Sequence, residues 1–110
     1  MGGVNRVRLV GGIGKYGVEV RYANSGAPYA SFMMVVSEQG QDGKDHSTRI
    51  PCECWGKKAE AAGELEAGQL VLFEGKLRKR HKGEGQWELL VSGFELTPIV
   101  TPTPALTGSN

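Results

Sequence analysis

The chain has 110 residues, of which 39% are hydrophobic and 23% charged, which predicts one globular domain with a single core. Thirteen basic and twelve acidic side chains give a formal net charge of +1, so the overall charge does not identify a partner. No segment approaches the roughly 18 consecutive apolar residues of a membrane span, and none has the layout of a signal peptide. These features predict a cytoplasmic protein with no membrane partner.

The N-terminal third predicts strands separated by glycine-rich turns, in keeping with the seventeen glycines of the chain. Residues 4–10 are predicted to form a half-buried first strand, with Val7 and Leu9 on one face and Arg6 and Arg8 on the other. The glycines of residues 11–14 are expected to break this strand, and the alternation resumes over residues 18–22. A second strand is predicted over residues 29–37. It is apolar on both faces, so one face is expected to meet the core and the other a second subunit.

A third strand is predicted over residues 47–55, and its two faces differ in character. One face carries Ile50, Cys52 and Cys54, and the other carries Arg49, Glu53 and Trp55. The two cysteines are expected to be reduced core thiols, because neighbours on one face of a strand cannot easily bridge each other. Two distant histidines complete no zinc-binding spacing, so no cofactor is expected. The same parity predicts that Trp55 is exposed.

One helix and two further strands are predicted in the second half of the chain. Alanine-rich residues 56–67 predict the helix, residues 69–80 a fourth strand and residues 87–96 a fifth. Five strands with one helix between the third and fourth are the layout of an OB-fold, a small all-β Greek-key barrel. The barrel is expected to occupy residues 1–100. The threonine- and proline-rich residues 101–110 are expected to form a short flexible tail.

Aromatic and basic side chains predict the binding of single-stranded nucleic acid. Five basic residues fall within seven positions at the end of the fourth strand: Lys76, Arg78, Lys79, Arg80 and Lys82. A stacking ring such as Trp55, a basic track for phosphates and a β scaffold are what sequence-tolerant binding of a single strand requires. The alternatives are a core tryptophan and a solvated basic loop. Phe73 and Trp87 are expected to pack in the barrel or in an interface.

No arrangement of residues predicts an enzyme. The acidic side chains are scattered without a carboxylate pair, and no phosphate-binding loop of the G-x-x-x-x-G-K type is present. The glycines of residues 11–14 are not followed by a helix, so they do not form a dinucleotide-binding fingerprint. Binding rather than catalysis is therefore expected.

Three segments resemble one known family. They are the opening GVNRVRLVGGIGK, the turn VEVRYANSG and the block CWGKKAEAAGELEAGQLVLFEGKLRKR, and they are similar to motifs of the bacterial single-stranded-DNA-binding proteins. The resemblance extends over about Gly3 to Val100. It implies an OB-fold that wraps single-stranded DNA in replication, recombination and repair, on the nucleoid. It also implies a homo-oligomer, with the tetramer favoured over the dimer, and RNA is left open as an alternative ligand.

The resemblance implies roles for individual residues. Trp55 occupies the aromatic position that stacks on a base in the family. Relatives place phosphate contacts where this chain has Lys57, Arg78, Arg80, Lys82, Arg6 and Arg21. Lys76 lies in the same basic cluster and Arg49 on the strand face of Trp55, so both are added to the expected nucleic-acid-binding residues.

The chain departs from the family where relatives carry further tryptophans and an acidic C-terminal tip. The tryptophan positions hold Gln39 and Gly40, Arg49, and His81 and Lys82. Because each stacked base contributes roughly 1–3 kcal/mol, weaker or more electrostatic binding is expected. Residues 105–110 contain no acid and no aromatic, so tail-mediated recruitment of repair enzymes is not expected. The chain is then either the DNA-binding core of a longer protein or a naturally short paralogue.

Two alternatives remain open at this point. A dimeric replication-restart protein of the primosome has this fold and also lacks the acidic tail. The other alternative is an OB-fold protein-interaction module whose nucleic-acid surface has been lost. Salt separates the classes, because a protein that binds the phosphate backbone loses affinity steeply as salt rises.

Overall fold

The computed structural model describes residues 2–100 of the chain. Its elements are β1 Val7–Tyr22, β2 Pro28–Gln39, β3 Asp45–Trp55, α1 Lys57–Gly63, β4 Leu70–Gly83 and β5 Gln86–Pro98. The strands close into one barrel in the order β1-β2-β3-β5-β4, and neighbours are antiparallel except β3 and β5. The predicted five-stranded OB-fold with a helix between the third and fourth strands is confirmed. The predicted tail, residues 101–110, lies outside the described residues.

β1 is a single strand of 16 residues, so the prediction that residues 11–14 break it is wrong. Glycine here serves close packing, because a Cβ at Gly11 would collide with the carbonyl oxygen of Val35 on β2. The irregularity is instead a β-bulge, since the register with β2 shifts between Ile13 and Val18. The residues between these two positions leave the ladder without ending the strand.

α1 is shorter than predicted, since it covers Lys57–Gly63 and not residues 56–67. The amides that follow it donate to carbonyls three residues earlier instead of four, which tightens and ends the last turn. Ala59 and Ala62 are buried against the barrel. Within the described residues, no helix has the length and hydrophobicity needed to cross a lipid bilayer.

The interior of the barrel is apolar and includes both cysteines. Phe32 and the fully buried Phe73 pack edge to face, with ring centroids 5.2 Å apart. Cys52 and Cys54 are buried and unpaired, as predicted. Burial raises the pKa of Cys52 to about 12 and that of Cys54 to about 11, so both thiols stay protonated. Among residues 2–100, no group of three His, Cys, Asp or Glu side chains is placed to hold a metal ion.

We expect the thiol reagent DTNB to react slowly with the native protein at neutral pH. Both sulfurs are buried, and the raised pKa values deplete the reactive thiolate. In denaturant, both cysteines should react fully, and the absorbance of the released chromophore measures both reactions. Fast reaction of one thiol in the native state would contradict the closed barrel around β3.

β4 and β5 form a hairpin that continues past the barrel. The pairing of β3 with β5 is at Cys52–Val91 and Glu53–Ser92, whereas β4 and β5 pair with each other as far as Gly83–Gln86. We call residues 78–90 the hairpin arm. Trp87 lies on this arm and is 54% exposed, so it does not pack inside the barrel as one reading predicted.

Candidate nucleic-acid interface

A groove of about 620 Å³ crosses the outer face of β2 and β3. These strands pair without interruption from Tyr29–Trp55 to Gln39–Asp45, so alternate pairs share this face. The floor includes Ser31, Met33, Val35, Arg49 and Pro51. The bulge of β1 contributes residues 14–19, and the hairpin arm contributes Arg80 and Glu88. The groove therefore has a sheet floor between two walls that project from other strands.

Trp55 and Tyr29 form an aromatic pair on the same sheet face. Trp55 is 49% exposed, in agreement with the prediction from strand parity. Tyr29 is its cross-strand neighbour, and the ring centroids are 4.5 Å apart with planes tilted by 56°. This contact holds the indole against the sheet while about half of its surface remains open, which suits a stacking platform.

The bulge of β1 supplies an aromatic side chain that the sequence interpretation missed. Tyr16 is 87% exposed, and the ammonium nitrogen of Lys15 lies 5.2 Å from its ring centroid. Both side chains line the groove. A signal was present in the sequence, because glycines inside a strand pattern, such as Gly14 and Gly17, suggest a bulge, and bulges are over-represented next to functional sites.

Glu53 shares the sheet face of Trp55, as parity predicts, but it is 2% exposed. Tyr29 Oη donates to Glu53 Oε1 at 3.0 Å. Arg78 Nε lies 3.2 Å from Oε2, close enough for an ion pair but without the alignment of a hydrogen bond. Burial, and then the hydrogen bond to Glu53, raise the pKa of Tyr29, so its phenol stays protonated at neutral pH. A buried acid therefore ties the arm to the sheet.

A second carboxylate holds Arg80. Arg80 Nε donates to Glu88 Oε2 at 2.9 Å, Nη2 donates to the same oxygen, and Nη1 donates to Tyr29 Oη at 3.2 Å. The hydrogen bond from Arg80 lowers the pKa of Glu88, which is therefore ionised at neutral pH. Arg78 and Arg80, both expected to contact phosphates, have carboxylate partners within the protein. A bound phosphate has to compete with these partners.

Two more of the expected arginines lie on the same side of the barrel. Arg49 lines the groove, and no ion pair within residues 2–100 involves it. Arg21 is the cross-strand neighbour of Tyr29 and pairs with Glu19 at 3.0 Å. Arg49 is therefore the arginine of the groove whose charge is uncompensated in this part of the chain.

The remaining expected residues are less central. Lys57 begins α1, Lys76 precedes the hairpin arm and Lys82 lies near its tip, all three exposed. Arg6 lies elsewhere: its guanidinium nitrogen is 3.9 Å from a carboxylate oxygen of Glu74, and neither residue lines the groove. The structure therefore gathers most of the expected residues around one face and leaves Arg6 outside it.

Comparison with known proteins identifies relatives along most of the chain. Residues 4–89 match the single-strand binding protein family. A single-stranded DNA-binding protein of Lactiplantibacillus plantarum is 33% identical over 102 residues, which cover 84% of this chain and 50% of that protein. Single-stranded DNA-binding protein 1 of Synechocystis is 33% identical over 91 residues, covering 82% of this chain and 70% of that protein. The chain thus spans about half the length of the first relative.

Solved structures share the fold. Two structures of PriB from Ralstonia solanacearum match with a TM-score of 0.71 at 21% and 22% identity. They cover 88% and 87% of this chain, and 100% and 98% of PriB. At this identity the likeness concerns the fold alone. The sequence relatives show more, since their family is one of DNA-binding proteins and not of enzymes. The chain belongs to the single-strand binding protein family.

Proposed function

We propose that the protein binds single-stranded DNA in the groove between the bulge of β1 and the hairpin arm. The observation that carries this function is the composition of the groove. The groove is lined by the exposed ring of Tyr16 and by the cationic side chains of Lys15 and Arg49, and Trp55 lies on the same sheet face. The strand 2–3 face is where OB-folds take up oligonucleotides.

Stacking and phosphate contacts make this binding tolerant of sequence. Every base has a π-face, so Tyr16 and Trp55 can accept any of the four bases. Stacking also requires unpaired bases, because the faces of bases in a duplex are already covered by their neighbours. We therefore infer a preference for single strands over duplex DNA, with no strong preference for sequence.

Membership of the family supports a place in DNA replication, recombination and repair, on the nucleoid in the cytoplasm. It also supports a homo-oligomer, with a tetramer favoured over a dimer. Val10 and Leu70 are exposed apolar side chains on the outside of β1 and β4, as expected for a subunit contact. The dimeric replication-restart alternative has the same fold, so the fold does not distinguish it from a tetramer. The molecular mass in solution does.

Fluorescence tests the proposed function directly. Trp55 and Trp87 are both partly exposed, so we expect oligo(dT) to quench the intrinsic fluorescence and duplex DNA to leave it nearly unchanged. Binding should weaken as salt rises, because phosphate contacts release counterions. In a Trp87→Phe variant Trp55 is the remaining tryptophan, so any quenching that is left is assigned to Trp55. Absence of both quenching and binding at low salt would refute the proposal and favour a protein-interaction module.

A further inference from the structure

Glu53 is a buried carboxylate close to the groove. In the described part of the chain it is the one charged side chain that is buried. Its strand is flanked there on both sides, by Ser31 of β2 and by Ser92 of β5. Because an ionised carboxylate loses its hydration on burial, it has to find its partners within the protein. Glu53 is not among the residues that line the groove, so a bound strand would not reach it.

The two carboxylate oxygens of Glu53 have different partners. Oε1 accepts the hydrogen bond from the Tyr29 hydroxyl at 3.0 Å. Oε2 accepts no hydrogen bond from residues 2–100 and lies 3.2 Å from Arg78 Nε. The side chain of Arg78 is about half exposed, so it balances the charge of the acid while it stays in contact with water. The directional contact of Glu53 is therefore the one with Tyr29.

Tyr29 connects this carboxylate to two groups of the proposed binding site. Its hydroxyl also accepts a hydrogen bond from Arg80 Nη1 at 3.2 Å. A hydroxyl has one proton, so donation to Glu53 leaves its oxygen free to accept from the guanidinium. Its ring contacts the indole of Trp55, with centroids 4.5 Å apart. The hydroxyl of Tyr29 thus holds an arginine that lines the groove, and its ring holds a stacking platform.

We propose that Glu53 is a positioning residue for single-stranded DNA, and that it acts through the hydroxyl of Tyr29. This inference rests on the proposed function. With the hydroxyl fixed, Trp55 of β3 and Arg80 of β4 are held together in the geometry that binds the strand. Each loses part of its contribution to binding when the hydroxyl turns away. Glu53 itself makes no contact with the strand.

Stability alone does not account for a carboxylate at this position. A buried ion pair often contributes no more to stability than apolar side chains of the same volume, because the desolvation of both charges offsets their attraction. An apolar side chain could fill the space of Glu53, but it could not accept a hydrogen bond. The carboxylate therefore adds a fixed direction for the Tyr29 hydroxyl, and through it for Arg80.

Two substitutions of Glu53 separate its hydrogen bond from its volume. Glu53→Met keeps an unbranched side chain of similar size and removes the carboxylate oxygens. We expect it to weaken binding of oligo(dT) about 3- to 10-fold, a fraction of the effect of losing one stacked base. Glu53→Gln keeps an acceptor oxygen for Tyr29 and should bind within about 2-fold of the parent protein. Fluorescence anisotropy of labelled oligo(dT) measures these affinities.

A double-variant cycle tests whether Glu53 acts through Tyr29. Tyr29→Phe keeps the ring beside Trp55 and removes the hydroxyl, so its loss of affinity should resemble that of Glu53→Met. In the Tyr29→Phe background, Glu53→Met should cause at most about a 2-fold further loss, because the group that it positions is already absent. A purely structural role would weaken binding by the same factor in both backgrounds. Should Glu53→Met not fold, the loss expected for Tyr29→Phe still tests the inference.

The matched control is a second acid that pairs with an arginine outside the groove. The side chain of Glu74 is 19% exposed, and its carboxylate lies 3.7 Å from Arg8 Nε. Neither residue lines the groove. We expect Glu74→Met to leave the affinity for oligo(dT) unchanged. Thermal melting followed by circular dichroism shows whether each variant keeps the fold.

Three results would overturn the inference. Glu53→Met and Tyr29→Phe could both bind as tightly as the parent protein, in which case the proposed function stands and Glu53 positions nothing. Glu53→Met could tighten binding, which would show that the acid instead competes with phosphates for Arg78. Equal factors in the parent and Tyr29→Phe backgrounds would make the loss a structural effect. Failure of the parent protein to bind oligo(dT) would instead refute the proposed function.

Discussion

Replacing Trp55 with alanine should weaken the binding of single-stranded DNA by about 1–3 kcal/mol, the contribution of one stacked base. The fold should persist, because Trp55 is about half exposed and its aromatic contact within the protein is with Tyr29 at the surface of the sheet. Fluorescence anisotropy of labelled oligo(dT) measures the affinity, and thermal melting measures the fold. An unchanged dissociation constant with an intact fold would remove Trp55 from the binding site.

Two further variants define what the Trp55→Ala result means. Trp55→Phe keeps an aromatic ring, so it should keep more than half of the binding free energy that Trp55→Ala loses. Phe94→Ala removes a similarly exposed ring that contacts Arg6, outside the groove, and should leave the affinity unchanged. If Trp55→Ala unfolds the protein, the tryptophan is a structural residue and the argument from strand parity fails.

Strand parity predicted the properties that depend on local sequence. The exposure of Trp55 and the burial of Cys52 and Cys54 follow from the period of two along β3, which needs no knowledge of distant residues. The succession of strands along the chain and the position of α1 between the third and fourth strands could be predicted for the same reason, since each element has its own local pattern. Together these were sufficient to predict the OB-fold.

The burial of Glu53 could not be predicted in this way. Parity places Glu53 on the same face as Trp55, yet the hairpin arm covers it through Arg78, a residue of another strand. Its hydrogen-bond partner Tyr29 is 24 residues away in sequence. Contacts between elements so far apart depend on how the barrel closes, which a local pattern does not contain.

The glycines of β1 were misread for a related reason. Glycine weakens strand propensity, so residues 11–14 read as a break. Their function depends on the neighbouring strand, since Gly11 accommodates the backbone of Val35 on β2. As a result, the sequence interpretation overlooked Tyr16, which the bulge of β1 presents to the groove.

The electrostatics of the basic cluster also differ from a simple count of charges. Arg78 is paired with Glu53, and Arg80 with Glu88. The net contribution of each arginine to DNA binding is therefore its interaction with a phosphate minus the interaction with its carboxylate that is lost. Glu88 has a pKa below its usual value because of Arg80, and the pair therefore persists at neutral pH and is lost only as the pH falls through that lowered pKa. At neutral pH a bound phosphate thus has to compete with Glu53 for Arg78 and with Glu88 for Arg80.

Neutralising Arg78 and Arg80 together, as Arg78→Gln with Arg80→Gln, should flatten the salt dependence of binding. We expect the slope of the logarithm of the binding constant against the logarithm of salt concentration to fall by roughly 1–2. Titrations of oligo(dT) at several salt concentrations give the slope. An unchanged slope would show that the two arginines do not contact phosphates.

The opposite change in charge gives the decisive comparison. Glu88→Gln removes the competing carboxylate of Arg80, so binding should tighten at low salt and the slope should steepen by about 0.7, the value for one phosphate contact with a single strand. Removing either partner also loosens the hairpin arm, and loosening alone would weaken binding in both variants. Opposite signs for the arginine and glutamate variants therefore indicate competition for the phosphate, whereas losses in both would indicate that the ion pair acts by holding the arm in place.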